Sequence, residues 1–400
     1  MTWFEADRDL VVPFGFYGAG NIGDEATLQG FARLLSQCGA DVRVAVASQN
    51  PDHTSWVEPA FTYFNAAGVD PRRYWAKLRA DAHVFAGGTP IMDVLGEWPL
   101  NEVAAIVRAA VGKWRAPVSF VGVGIEGLRS EESRRIVADA IVPHVRHWSV
   151  RSAHDRLRLL EYGASADAIT VAADMAWLIA PATREFGRAR LGRWGIDPRR
   201  PLVGVNVVNE NGTFDREPHI VPALASALDA LATNSGAQVI FLANEVREDS
   251  SFDKAAALRV MSGMRRSERA MLAPNEYLSP QQMMSLIGCC NLTISMRYHF
   301  CLFSALQSVP FIAIERSDKV SDLCLDLNWA ASMKPPQLTS EVVLGHATMM
   351  EEDVSLSWAG ELRSRVQDMK SRALRNVAGL VTLPGLRPLA ATSRYDDTIR

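Results

Sequence analysis

An α/β fold of two lobes, each built on a mainly parallel, Rossmann-like sheet, is predicted by three features of the sequence. Its 400 residues exceed what one hydrophobic core usually serves. Short apolar runs alternate with longer amphipathic stretches, the mark of repeated β-α-β units. The alternation pauses over 181–201, where Pro181, Pro198 and Pro201 stand among many arginines, and then restarts. The expected organisation is an N-terminal domain over 1–180, a linker over 181–201, a C-terminal domain over 202–380 and a loose polar tail over 381–400. Parallel sheets bind ligands beyond the carboxyl ends of their strands, so a ligand cleft between the lobes is expected.

In the first lobe, strands are predicted at 10–17, 42–47, 82–86, 118–123, 148–150 and 169–171. Helices are predicted at 24–38, 101–111, 130–145 and 155–162. In 24–38, Leu28, Phe31, Leu34 and Leu35 recur at helical spacing, and Gly39 suits the residue after the helix. In the second lobe, strands are expected at 202–208, 239–242, 292–296 and 310–314. Helices are expected at 221–233, 252–264, 280–289, 299–306, 317–327, 340–350 and 356–377. Ser279 and Pro280 form a cap and first helical residue.

Composition narrows the function. Apolar residues make up 48% and charged residues 22%, as in a globular protein. A net charge of -3 argues against non-specific nucleic-acid binding, so no nucleic-acid partner is expected. The five cysteines show neither C-x-x-C nor zinc spacing and read as small hydrophobes in a reducing, cytoplasmic compartment. The N-terminus lacks a basic segment followed by an apolar one, and no run approaches about 18 apolar residues. His144 and His147 have metal-compatible spacing but no third ligand, so no metal or cofactor is expected.

Four segments follow strand ends. Residues 15–25 place Gly18, Gly20 and Gly23 in G-x-G-x-x-G spacing before a helix, which allows close approach of an anion or simply makes a tight turn with Asp24 as N-cap. Residues 86–93 and 122–127 each put glycines and one acid at a strand end. Gly88 reads as turn chemistry, while Asp93 and Glu126 suit sugar hydroxyls, a base role or a helix start. The fourth is Ser295-Met296-Arg297-Tyr298-His299. An Arg and a His ending an apolar strand are costly unless paired or used. Arg297 carries a fork suited to carboxylate or phosphate, and His299 opens a helix; the alternative is an Arg paired with an acid beside a core histidine. Arg151 and Lys319 follow other strand ends and are weaker candidates.

The order of Asn21-Ile22-Gly23-Asp24-Glu25, Gly87-Gly88 with Asp93, Gly122-Val123-Gly124-Ile125, Ser149-Val150-Arg151, Asp174 and Ser295-Met296-Arg297-Tyr298-His299 resembles the polysaccharide pyruvyl transferase family over roughly 12–320. The resemblance implies a GT-B-like fold and transfer of pyruvate from phosphoenolpyruvate to a sugar of a cell-surface polysaccharide or glycolipid precursor, as a cyclic ketal with release of phosphate. It implies that His299 is the acid/base residue, that Arg297 binds phosphoenolpyruvate with Arg151 as a second anion ligand, and that Asn21 and Asp24 lie on the acceptor side. From their places at strand ends, Ser295 and Lys319 are expected to join the donor site and Gly20, Gly88, Asp93 and Glu126 the acceptor site. A lipid-linked acceptor would be met at the cytoplasmic membrane face, and an oligomer is compatible with this reading. Two departures stand out. Thr89 replaces a glycine of the pattern, and the aromatic residue expected shortly before Lys319 is absent, with Glu315-Arg316-Ser317-Asp318 in its place. A GT-B glycosyltransferase using a nucleotide-sugar, or a non-catalytic binding protein on the same fold, are the alternatives.

Overall fold

The structure, a computed structural model, describes residues 9–246, 252–352 and 357–381, except 69, 95 and 97. The expected tail over 381–400 lies outside these residues beyond Val381. Two parallel sheets are present. The first contains β1 (Leu10–Phe14), β2 (Arg43–Ser48), β3 (Thr62–Asn65), β4 (Ala82–Ala86), β5 (Val118–Val123), β6 (Val145–Val150) and β7 (Ile169–Val171), in the order β3-β2-β1-β4-β5-β6-β7. The second contains β8 (Leu202–Asn206), β9 (Gln238–Phe241), β10 (Ala270–Leu272), β11 (Leu292–Ser295), β12 (Phe311–Ile314) and β13 (Ser332–Met333), in the order β10-β9-β8-β11-β12-β13. Every ladder is parallel.

The central strands read as continuous apolar runs because helices cover both faces of a parallel sheet. All residues of β1, β4, β5, β8, β11 and β12 are buried. Phe85, Phe120 and Trp148 stack in sequence across β4, β5 and β6, with ring centroids 4.3 Å apart at each step. The edge strands β3 and β10, which sequence periodicity does not reveal, are short and mostly half-buried.

The strand order reverses between β1 and β4 in one sheet and between β8 and β11 in the other. At such a reversal the adjoining connections run to opposite sides, opening a crevice beyond the carboxyl ends of the two strands.

The chain divides into two compact units whose main boundary, after Leu178, lies close to the expected one, but two segments change sides. One contains 27–178 and returns at Arg372; the other contains Tyr17–Ala26 and Ile179–Ser371. The segment 181–201 is no simple linker. It contains the helix Glu185–Arg193, whose Gly187 lies against Ser285, where an added Cβ would come within 2.2 Å of the Ser285 carbonyl oxygen. Within 130–145 the expected single helix breaks into Glu131–Arg135, a wider turn over Ile136–Ile141 and a tight turn over Val142–His144, where Pro143 supplies no N–H. No helix of the described residues is long and apolar enough to cross a membrane.

Candidate functional site

Four connections at the carboxyl edge of the second sheet carry a cluster of charged residues around Arg297 and Glu210. Glu210 follows β8, Glu245 and Asp253 follow β9, Arg297 follows β11, and Arg316 and Lys319 follow β12. Arg297 is the N-cap residue of the helix Tyr298–Leu306. Its Nη2 donates to Asp253 Oδ1 at 2.6 Å and to Glu245 Oε2 at 2.7 Å, while Nε donates to Asp253 Oδ1 at 3.1 Å. Nη1 lies 3.9 Å from Glu210 Oε2. Burial disfavours the Arg297 charge, but Asp253, Glu245 and Glu210 outweigh it and raise the guanidinium pKa. The alternative reading of Arg297 as an ion-paired residue therefore holds for two of its nitrogens.

Glu210 is placed differently. It accepts one hydrogen bond from Arg316 Nη2 at 3.1 Å. Burial would raise its carboxyl, yet Arg297, Arg316 and Lys319 together hold it below the usual value.

Ser295 is fully buried at the end of β11. Its Oγ accepts from the Arg297 N–H at 2.9 Å and donates to Asn206 Oδ1 at 3.3 Å. It holds the Arg297 backbone at the end of the strand. Asn206 in turn donates to Asp253 Oδ2 at 3.0 Å.

The Gly18–Asp24 loop belongs to this same unit rather than to the N-terminal domain. The Val246 N–H donates to Gly20 O at 2.8 Å and the Ile22 N–H to Asn244 O at 3.0 Å. Gly20, at φ +82°, leaves no room for a side chain beside the Val246 carbonyl. Asn21 Oδ1 accepts from the Gly23 N–H at 3.0 Å and from Asn244 Nδ2 at 3.1 Å. Asn21 thus caps the helix Ile22–Gln37, and Asp24 falls in its first turn instead of capping it. Gly23 lies against the His299 ring: a Cβ there would come within 2.1 Å of Nδ1. The half-buried imidazole of His299 is held on its other sides by Tyr298 and Phe303, with ring centroids 5.0 and 6.3 Å away.

Arg151, Gly88, Asp93 and Glu126 lie in the other unit. Arg151 is buried, with Nη1 donating to Asp174 Oδ2 and Nη2 to Thr89 Oγ1, both at 3.0 Å. Its guanidinium covers Gly124, where a Cβ would come within 1.9 Å of Nη2. Asp174 is fully buried and also accepts from the Ala176 N–H at 2.9 Å. Arg372 donates to the carbonyls of Arg151 and Ala172, and Asn376 to that of Ala173, so a C-terminal segment secures both arms of this pair. Gly88, at φ +71°, has open space where a Cβ would stand. Asp93 Oδ2 accepts from the N–H groups of Arg129 and Ser130 at 2.9 and 3.0 Å, the helix-start role weighed for it. Glu126 is half-buried, with its N–H donating to Ile91 O at 2.9 Å.

Glu210, Glu245, Asp253 and Arg316 escaped the sequence reading. A buried guanidinium demands carboxylates, but which acids answer depends on loops of different length meeting at one sheet edge.

A family model described as polysaccharide pyruvyl transferase matches residues 21–318. No curated protein matches the chain. Solved structures share the fold at low identity. HepE from Anabaena, in complex with UDP and glucose, superposes with a TM-score of 0.62 at 10% identity, covering 94% of this chain and 100% of its own. A glycosyltransferase from Rickettsia africae gives 0.61 at 11%, covering 93% and 97%. The UDP-GlcNAc 2-epimerase of Methanocaldococcus jannaschii gives 0.57 at 13%, covering 86% and 93%. The fold is GT-B-like, as its α/β architecture of two parallel sheets and these neighbours show.

Proposed function

Because the chain belongs to the polysaccharide pyruvyl transferase family, we propose that it moves the pyruvyl group of phosphoenolpyruvate onto two hydroxyls of one sugar in a cell-surface polysaccharide or glycolipid precursor. The observation that supports this reading is that an imidazole and several cations follow adjacent strands at one sheet edge. His299 stands two residues from Arg297, after β11, and Arg316 and Lys319 follow the neighbouring β12.

The chemistry balances with these groups. His299 delivers a proton to the methylene carbon of the enol, and the central carbon becomes electrophilic. One sugar hydroxyl adds there and gives its proton back to His299. The second hydroxyl then closes the ring as the carbon–oxygen bond to phosphate breaks, and its proton leaves with the inorganic phosphate. An imidazole serves each proton transfer near neutral pH. Lys319 and the Nη1 edge of Arg297 attract the donor's negative charge. Arg151 is assigned a structural role, since Asp174 and Thr89 engage both of its Nη groups. No step here calls for a metal or cofactor, and activity is expected to survive a chelator.

The test is phosphate release from phosphoenolpyruvate with a glycan acceptor. His299→Ala is expected to lower the rate by about 10²–10⁴. Release at the wild-type rate in that variant would remove His299 from the chemistry. The second reading, a glycosyltransferase, is favoured by the likeness to HepE, whose structure holds UDP and glucose. Thermal protection by UDP-glucose and none by phosphoenolpyruvate would select it. A lipid-linked acceptor would bring the enzyme to the cytoplasmic membrane face.

A further inference from the structure

Glu210 stands out among the acids around Arg297. Glu245 and Asp253 hold Arg297 at 2.7 and 2.6 Å, through side chains that are 6% and 1% exposed. Their pairing is short, buried and reinforced, because Asp253 also accepts from Asn206 and from the Asn244 N–H. Glu210 is 26% exposed, makes its one short contact with Arg316 and stands 3.9 Å from Arg297. It opens the tight turn Glu210–Gly212, which ends at a glycine in the left-handed region, φ +67°. Arg316 and Arg297 stand 3.1 and 3.9 Å from its carboxylate, and the Lys319 charge also acts on it. The Ser317 hydroxyl, at the N-cap of the helix Asp318–Asp326, is buried without a hydrogen-bond partner among the described residues. Glu210 follows β8 and Arg297 follows β11, so the cluster occupies the crevice at the reversal of strand order.

We infer that Arg316, Lys319 and Nη1 of Arg297 form an anion subsite that the Glu210 carboxylate closes from within and that a phosphate-bearing ligand takes over. Two carboxylates neutralise Arg297 permanently, whereas the third is the exchangeable one. Arg316 thereby becomes an anion ligand within the stretch before Lys319 from which the expected aromatic residue is absent, and the Glu210 carboxylate competes with the ligand for it. This deepens the proposed function by naming how the donor's phosphate is received, and it rests on that reading only for the identity of the donor.

The experiment is calorimetric titration of inorganic phosphate into the full chain, with competition by phosphoenolpyruvate and by UDP. Glu210→Gln keeps an acceptor for Arg316 but removes a like charge from the subsite, so phosphate is expected to bind roughly tenfold tighter or more. Arg316→Gln is expected to weaken it by a similar factor. Unchanged or weaker phosphate binding in Glu210→Gln overturns the inference. If that variant does not fold, equal phosphate affinity in Arg316→Gln and the wild type overturns it alone. The donor reading fails separately: tighter phosphate binding in Glu210→Gln, with UDP and not phosphoenolpyruvate competing, leaves the subsite standing and removes pyruvyl transfer.

Discussion

Arg151 and Arg297 each follow a strand at the carboxyl edge of a parallel sheet, and each is ion-paired with a buried carboxylate. Their surroundings differ in one respect. Arg151 donates to Asp174 and to the Thr89 hydroxyl, both at 3.0 Å. Arg297 has two short acidic partners and a third, looser one that Arg316 and Lys319 share. A single buried pair is a fastening: nothing can leave it without stranding a charge. A cluster with a surplus carboxylate can exchange that member for a ligand and stay balanced.

The sharpest way to break this comparison is to remove one acid from each cluster. Asp174→Ala strands Arg151 in a buried site and is expected to cost about 3–5 kcal/mol. Glu245→Ala leaves Arg297 with Asp253 and Glu210, and less than half that loss is expected. Denaturant titration of both variants checks this, and equal losses would show that the surplus acid confers no tolerance.

Acid lability sharpens it further. His83 is fully buried in β4, and burial together with the nearby Lys77 charge lowers its pKa to about 4. The unfolded chain then binds more protons between pH 6.5 and about 4. Stability from keeping His83 neutral is therefore complete above pH 6.5 and lost as pH falls through that window, by up to about 3 kcal/mol. His53 and His147, in the same unit, and His346, in the other, are lowered by burial with the same sign. Glu210 is held below its ordinary value of 4.5, so its contribution persists above that pH and disappears only at lower pH. The β4 unit is expected to weaken first on acidification. His83→Leu should flatten its pH profile between 6.5 and 4, and an unchanged profile would count against the assignment.

The glycines offer a third contrast. Gly23→Ala would drive a methyl group into His299, so the imidazole must move. About a 10- to 100-fold fall in kcat is expected, since catalytic geometry tolerates little displacement. Gly345→Ala, with open space around it in the helix Ser340–Glu352, is the control and should leave kcat unchanged.

Much of this was legible in the sequence, for identifiable reasons. Strands such as β4 and β5 announced themselves because both faces are covered and the runs are short and apolar. Ser295 to His299 stood out because charged groups ending such a run need an explanation. Two things did not show. The loop over Tyr17–Ala26 follows a strand of the first sheet, yet it belongs to the unit of the second, where its backbone pairs with residues 244–246. No local pattern encodes a partner more than 200 residues away. Glu210, Glu245 and Asp253 look like ordinary surface acids in sequence, and only the folded edge shows that they share one guanidinium.

Thr89 gives the smallest expected effect and the finest discrimination. It stands where the family pattern has glycine, and its hydroxyl accepts from Arg151 Nη2. Thr89→Val keeps the volume and removes that acceptor. Because Asp174 still neutralises the guanidinium, the loss should be only about 1 kcal/mol, well below that of Asp174→Ala. A double-mutant cycle of Thr89→Val with Asp174→Asn measures whether the two partners act as one fastening. Simple additivity would mean that the hydroxyl does not help to hold Arg151 against its acid. A coupling of 1 kcal/mol or so would mean that this chain uses the threonine to complete a clamp that a glycine at the same position would leave with the carboxylate alone.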